Sequence, residues 1–198
     1  MKPFGTAAIL AGGRSSRMGF DKQLLKIREQ RLIGVLLPKL SACFDDIIVV
    51  TKLPMLYQGM PVRTVQDIIP DKGPLSGMHA ALSIAKSDYV YMMACDMPCF
   101  DPVYCKHMQT RLEAQPADAC VTRYGEWIEP FHAYYNRRII ETVQRNLLAD
   151  KTSVHHLLRQ VDALYIPEQE ARTFNPDWSL FLNLNTREKY EAFMQTLE

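Results

Sequence analysis

The chain has 198 residues, of which 47% are hydrophobic, and its formal net charge is +1 at pH 7. This length predicts one domain, residues 1–198, with a well-buried core, and the balanced charge argues against extended nucleic-acid binding. No run approaches the roughly twenty apolar residues that cross a bilayer, and the N-terminus lacks a hydrophobic signal core. Five cysteines without a Cys-x-x-Cys pair fit a reducing compartment, so the sequence predicts a cytoplasmic protein without a membrane partner.

Short apolar or β-branched segments alternate with helical patterns along the chain. Strands are predicted at residues 6–10, 46–51, 62–66, 89–94 and 119–122, and helices at about 32–43, 75–85 and 102–114. This alternation implies a Rossmann-like, three-layer α/β/α fold with a mostly parallel sheet and right-handed crossovers. In such a sheet, ligands bind outside the carboxyl ends of the strands.

The first predicted strand runs into a glycine-rich, cationic loop, because residues 9–22 read ILAGGRSSRMGFDK. Gly12 and Gly13 have no Cβ atom, so their backbone can approach a phosphate closely. Arg17, Lys22 and a further arginine supply positive charge; Arg can bridge two phosphate oxygens, whereas Lys is a point charge that can follow a moving phosphate. The loop therefore predicts a polyphosphate site in a nucleotide-handling enzyme.

Two well-known phosphate loops do not match this segment. A P-loop requires Gly-Lys-Ser/Thr at its end, but Gly19 is followed by Phe-Asp. A dinucleotide fingerprint requires Gly-x-Gly-x-x-Gly, and the adjacent pair Gly12-Gly13 lacks that spacing. The sequence thus argues against hydride transfer.

A second segment, residues 66–78, reads QDIIPDKGPLSGM. Its prolines and glycines predict a loop followed by a helix that begins at about Leu75, whose free N–H groups can face a ligand. Asp67 can either form a turn with its own backbone or contact that ligand.

The third segment, residues 89–98, is an apolar run that ends in an acid and a proline, YVYMMACDMP. A central parallel strand of this kind delivers Asp96 to the ligand edge of the sheet. A carboxylate there can hold Mg²⁺, which prefers oxygen ligands and keeps substrate phosphates around it. The alternative is a cap on the next helix, but Asp101 is better placed for that role.

Near the end of the chain, residues 181–186 read FLNLNT. If this segment is a short strand, its alternation puts Asn183 and Asn185 on one face. The two amides either contact a ligand at the edge of the sheet or cap a terminal helix that begins near Thr186.

These segments resemble those of the molybdenum cofactor guanylyltransferase family, MobA-like enzymes with the fold of the nucleotide-diphospho-sugar transferases. The resemblance implies transfer of GMP from GTP to the molybdopterin cofactor, with release of pyrophosphate and formation of molybdopterin guanine dinucleotide. It implies that residues 1–122 bind the nucleotide and residues 123–198 form the acceptor side. The implied site residues are Lys22, Arg17 and Asp96 for catalysis; Leu10, Ala11, Gly12, Gly13, Lys22, Asp67 and Asp96 for the nucleotide; Asp96 for Mg²⁺; and Asn183 and Asn185 for the acceptor.

Several alternatives stay open at this point. The related cytidylyltransferases use CTP and more often carry Ala-Ala-Gly in the first loop, so the Gly-Gly pair here favours GTP. A non-catalytic protein that escorts a nucleotide or the cofactor is a second alternative, and contacts with other cofactor-maturation proteins are a further question. His132 stands where the family more often has an apolar residue, and Cys95 and Cys99 flank the predicted metal ligand.

Overall fold

The computed structural model describes residues 2–12 and 21–197. Its strands are β1 (Thr6–Leu10), β2 (Lys26–Ile27), β3 (Gln30–Arg31), β4 (Asp46–Val50), β5 (Arg63–Val65), β6 (Tyr89–Ala94), β7 (Ala119–Tyr124), β8 (Trp127–Asn136) and β9 (Ala163–Pro167). Its α-helices are α1 (Leu32–Ser41), α2 (Pro74–Ile84), α3 (Pro102–Ala114), α4 (Ile140–Leu148), α5 (Val154–Leu158), α6 (Glu168–Ala171) and α7 (Arg187–Gln195). Short 3₁₀ helices span Lys22–Leu24, Pro54–Tyr57, Arg137–Ile139 and Ser179–Phe181.

Seven of these strands form one sheet in the order β5-β4-β1-β6-β8-β7-β9. The first four are parallel to one another, β8 is antiparallel to both of its neighbours, and β9 is parallel to β7. The mostly parallel sheet predicted from the sequence is confirmed. The bounds predicted for β1, β6 and α3 match the structure, and β9 and α4 were not predicted because the alternation weakens after residue 124.

Helices cover both faces of the sheet and complete three layers. On one face, α1 and α3 pack on residues such as Ile9, Val49 and Tyr91. On the other face, α2 and α4 pack on the strand residues that alternate with these, including Leu10 and Met92. Successive strand residues point to opposite faces, so fully buried parallel strands are apolar at almost every position.

The strand order creates a crevice at one place in the sheet. β4 and β5 lie on one side of β1, whereas β6 lies on the other side, so the chain reverses its winding direction at β1. Ligands of open α/β sheets bind at such a switch point, outside the carboxyl ends of the strands. Helix α2 packs closely behind it, since a Cβ atom on Gly77 would lie only 3.3 Å from Leu10 Cδ2.

Strand β8 carries a large bulge beside this crevice. Cys120 and Thr122 of β7 pair with Tyr134 and Glu129 of β8, so the four residues 130–133 of β8 lie opposite a single residue of β7. Within the bulge His132 has a left-handed backbone (φ 53°), a conformation uncommon for residues other than glycine. Bulges next to functional sites redirect side chains.

No helix in the described part of the chain combines the length and apolarity that a membrane span requires.

Candidate active site

A cavity of about 870 Å³ opens at the carboxyl edge of the four parallel strands. Each strand contributes residues from just beyond its end, as the sheet topology requires. The lining residues are Leu10, Ala11, Gly12, Asp21, Lys22, Lys52, Asp67, Asp71, Gly73, Pro74, Ala94, Cys95, Asp96, Phe131, Asn183 and Asn185. Every described residue that the sequence assigned to the site is among them. Gly13 and Arg17 lie outside the described residues.

The centre of the cavity is an ion pair between the segments that follow β1 and β6. Lys22 Nζ lies 2.6 Å from Asp96 Oδ2. The Asp96 side chain is 7% exposed and the Lys22 side chain 27%, so the carboxylate is nearly enclosed while the lysine stays partly accessible to solvent. This juxtaposition puts a cation and an anion at the topological switch point of the sheet.

The backbone fixes the position of Asp96. Its carbonyl oxygen accepts a hydrogen bond from Leu184 N (2.8 Å), and Cys95 N donates to Leu10 O (3.1 Å). The alternative role, a helix cap, belongs to Asp101, whose carboxylate accepts from Val103 N and begins α3. Asp96 therefore does not cap α3, and it lines the cavity.

The backbone after β1 forms the floor of the cavity. Ala11 N donates to Val50 O (2.9 Å), so the sheet hydrogen bonds continue one residue beyond β1. A Cβ atom on Gly12 would come within 3.8 Å of Asp67 Oδ2, which is ordinary contact distance. The glycine backbone therefore faces the carboxylate across a narrow gap.

Asp67 lies in the loop after β5, on the opposite side of the cavity from β8. Its Oδ1 is buried and has no hydrogen-bond partner among the described residues, which does not fit a turn in which the side chain bonds its own backbone. The pKa of the Asp67 carboxyl is raised, chiefly by burial. The positive charge of Lys52 opposes this increase, and the negative charge of Asp71 adds to it. An enclosed oxygen without a partner is a group that a bound ligand can satisfy.

The prediction of a strand around Asn183 and Asn185 is wrong. Residues 182–185 follow the 3₁₀ helix Ser179–Phe181 and belong to no strand, because a loop hydrogen bond from Leu184 to Asp96 takes the place of strand pairing. Both asparagines nevertheless line the cavity. The helix-capping alternative is resolved, since Thr186 caps α7 with its side chain on Lys189 N.

Sequence reasoning assigned no role to three charged residues and one aromatic residue that line the cavity. Lys52 and Asp71 form a salt bridge of 3.2 Å near Asp67, Asp21 precedes Lys22, and Phe131 comes from the bulge of β8. Lys52 is the second residue after the end of β4, and this position at the carboxyl edge of the sheet could have indicated that it lines the cavity. Phe131 gave no such signal, because its orientation depends on the bulge.

The donor set suits a hard divalent cation. Mg²⁺ is commonly held by one or two carboxylates together with substrate phosphates, and Asp96 with the amides of Asn183 and Asn185 offers oxygen donors of this kind. No group of three or more His, Cys, Asp or Glu that could hold a metal occurs among the described residues. The neighbouring Cys95 thiol is a poor ligand for such a cation, because Mg²⁺ prefers oxygen to sulfur.

Comparison with known proteins identifies the family. The profile of the MobA-like NTP transferase domain matches residues 7–164. The chain belongs to this family. It is 50% identical to the molybdenum cofactor guanylyltransferase of Syntrophotalea carbinolica, over 96% of this chain and 90% of that protein. It is 46% identical to a probable molybdenum cofactor guanylyltransferase of Peptoclostridium acidaminophilum, over 100% of this chain and 91% of that protein.

Solved structures agree on the fold. Molybdopterin-guanine dinucleotide biosynthesis protein A of Archaeoglobus fulgidus superimposes with a TM-score of 0.86 at 24% identity, over 97% of this chain and 98% of that one. Rv0371c of Mycobacterium tuberculosis, in a structure described as a complex with manganese, gives a TM-score of 0.63 at 17% identity, over 98% of each chain. The fold of the nucleotide-diphospho-sugar transferases, expected from the resemblance, is confirmed.

Proposed function

We propose that this protein transfers GMP from GTP to the molybdopterin cofactor and releases pyrophosphate. The observation that most supports this function is the ion pair between Lys22 and Asp96, whose charged atoms lie 2.6 Å apart at the switch point of the sheet. The proposal is also supported by membership of the MobA-like family and by 46–50% identity to proteins named molybdenum cofactor guanylyltransferase or probable molybdenum cofactor guanylyltransferase. A protein that only escorts a nucleotide would gain little from a buried metal-binding carboxylate facing a cation.

In the proposed reaction, a terminal phosphate oxygen of the acceptor attacks the α-phosphorus of GTP in line. A new P–O bond forms as the bond between the α-phosphorus and its bridging oxygen breaks, and pyrophosphate leaves with that electron pair. A phosphate monoester has its second pKa near 6 and is largely ionised at pH 7, so no general base is required. Catalysis then consists of positioning and charge stabilisation.

The residues of the cavity divide this work. The backbone of Leu10, Ala11 and Gly12 seats the triphosphate, and Asp67 contacts the nucleotide on the far side of β1. Lys22 moves from Asp96 to the phosphates and offsets the charge that builds up on the leaving group. Asp96 would hold Mg²⁺, which supplies charge neutralisation on the phosphates. Gly13 and Arg17 keep the roles that the family resemblance implies.

The acceptor occupies the other end of the cavity. Asn183 and Asn185 flank Leu184, whose N–H bonds to Asp96, and the 3₁₀ helix before them packs against β8, the strand that carries Phe131. Amides can donate to and accept from a polar heterocycle, and an aromatic ring can pack against its face. We therefore assign residues 1–122 to the nucleotide and residues 123–198 to the acceptor, in a single domain that works in the cytoplasm.

The deciding experiment is an assay of Mg²⁺-dependent transfer to molybdopterin, with GTP and CTP compared side by side and pyrophosphate measured. We expect pyrophosphate and molybdopterin guanine dinucleotide in equal amounts with GTP alone. Turnover with CTP would instead indicate the cytidylyltransferase activity. Nucleotide binding without any pyrophosphate would contradict the proposal and favour an escort protein.

A further inference from the structure

A buried glutamine follows the catalytic lysine directly in the chain. Gln23 is only 9% exposed and lies in the 3₁₀ helix Lys22–Leu24. Glutamine is usually an exposed residue, and a buried amide requires hydrogen-bond partners for both its oxygen and its nitrogen. The partners that it finds here show what it holds together.

The side-chain amide of Gln23 joins three separate segments. Its Oε1 accepts hydrogen bonds from Thr51 Oγ1 (2.6 Å) and Tyr57 OH (3.1 Å). Its Nε2 lies 3.2 Å from both carboxylate oxygens of Asp21 and donates to them. The amide therefore connects the residue before Lys22 with the chain that follows β4.

The backbone of Gln23 is fixed as well. Its N–H donates to Asp21 Oδ1 (3.0 Å), and its carbonyl oxygen accepts from Arg31 Nη2 (3.1 Å). The guanidinium of Arg31 also lies 5.3 Å from the centre of the Tyr57 ring. Both neighbours of Lys22 in the chain are thus part of one hydrogen-bonded cluster, which we call the Gln23 cluster (Asp21, Gln23, Arg31, Thr51 and Tyr57).

The sheet anchors this cluster. Thr51 N donates to Val65 O (2.8 Å), and Thr51 Oγ1 accepts from Leu53 N (2.9 Å). Because Thr51 is tied to the ends of β4 and β5, its bond to Gln23 transmits the position of the sheet to the segment that carries Lys22. The Asp96 partner of Lys22 is anchored on β6, so the two charges are placed by different strands.

We propose that Gln23 is a positioning residue that holds Lys22 opposite Asp96. This inference rests on the proposed function for its consequence in catalysis, but its structural content is the placement of the lysine backbone. A lysine side chain has four rotatable bonds and loses rotamer freedom when it is ordered. A displacement of about 1 Å in a reacting group can cost a factor of about a hundred in rate.

The first test compares variants of the cluster in the transfer assay. Gln23→Ala should lower kcat/KM for GTP by roughly tenfold to a hundredfold. Thr51→Val should also lower kcat/KM, because it removes the hydroxyl that donates to Gln23. Thr51→Ser keeps this hydroxyl and should therefore have kcat/KM close to that of the wild-type protein. Gln144→Ala is the matched control, because Gln144 is exposed on α4, away from the cavity.

The second test asks whether Gln23 acts through Lys22. In a Lys22→Ala background, Gln23→Ala should add less than a twofold further loss, because there is no ammonium left to position. An equal loss in both backgrounds, together with a lower melting temperature, would mean that Gln23 only stabilises the fold and would overturn the inference.

A third readout needs no activity. Acetic anhydride labels lysines according to their exposure and mobility, and mass spectrometry measures the rate at each position. Without nucleotide, labelling of Lys22 should become several times faster in Gln23→Ala, whereas Lys106, which is exposed on α3, should react at an unchanged rate. Faster Lys22 labelling in a protein without transferase activity would support the inference and contradict the proposed function; unchanged labelling in an active enzyme would contradict the inference alone.

Discussion

The two ends of the cavity are built in different ways. On the proposed nucleotide end, Gly12, Asp67 and Asp96 lie within three residues of the ends of β1, β5 and β6. On the proposed acceptor end, Asn183 and Asn185 belong to a loop without strand pairing, and a backbone bond from Leu184 to Asp96 ties it to the site. The difference teaches that the parallel sheet places one group of cavity residues, whereas tertiary contacts of a late segment place the other.

The largest expected effect tests the residue where the two ends meet. Asp96→Asn keeps the shape of the side chain but removes its charge, so we expect transfer to fall by about a thousandfold. Circular dichroism should show an intact fold. The control is Asp101→Asn, which should keep both stability and activity because Asn is an equally good N-cap. Substantial activity in Asp96→Asn would refute the metal assignment.

The acceptor end is tested by removing its amides one at a time. Asn183→Ala or Asn185→Ala should lower kcat/KM for the acceptor by about tenfold, the value of one lost hydrogen bond of roughly 1.4 kcal/mol. The KM for GTP should change by less than twofold. If GTP binding weakens as much as acceptor use, the division of the cavity into two ends is wrong. Steady-state kinetics with each substrate varied in turn supplies the measurement.

The nucleotide end is tested by Asp67→Asn, which should raise the KM for GTP by about tenfold through the loss of one hydrogen bond to the ligand. It should also stabilise the protein at pH 7, because burial disfavours the ionised carboxylate. The raised pKa means that the folded state binds more protons than the unfolded state. Stability of the wild-type protein should therefore fall as the pH rises from the ordinary pKa, near 3.9, through the raised one.

Thermal melts of the wild type and of Asp67→Asn across this pH range test whether stability falls as the pH rises. The melting temperatures should coincide at the acidic end, where both side chains are neutral, and separate above it. A variant that is less stable than the wild type at pH 7 would show that the Asp67 carboxylate has a stabilising partner in the free protein.

The last prediction concerns stability rather than activity, at the bulge of β8 beside the cavity. His132 is fully buried, and its Nδ1 lies 2.7 Å from the Tyr91 hydroxyl. Burial lowers the pKa of His132 to about 3, so below about pH 6.5 the unfolded state binds a proton that the folded state excludes. Stability should decline as the pH falls through this window, by at most about 1.4 kcal/mol per pH unit from this residue.

His132→Asn should reduce that acid sensitivity, because Asn does not titrate and tolerates a left-handed backbone. Urea unfolding at pH 7 and pH 5 measures the difference. An unchanged pH dependence would mean that His132 does not account for the loss of stability in acid.

The sequence by itself determined the core of the nucleotide end. Apolar runs that stop at Leu10 and Ala94, followed by glycines or an acid, predict strand ends at the ligand edge, since local hydrophobic patterning and chain topology suffice for such residues. Thr186, Asp101 and Pro102 likewise follow local rules for the start of a helix. The motif segments also sufficed to name the family.

Only the tertiary structure decided the rest. The late segment around Asn183 is not a strand, because its backbone bonds to Asp96, which is distant in the chain. Phe131 reaches the cavity through a bulge that the register of β7 and β8 imposes, and Gln23 is buried because Thr51 and Tyr57 converge on it. Such contacts join residues far apart in sequence, and local periodicity carries no information about which distant groups will meet.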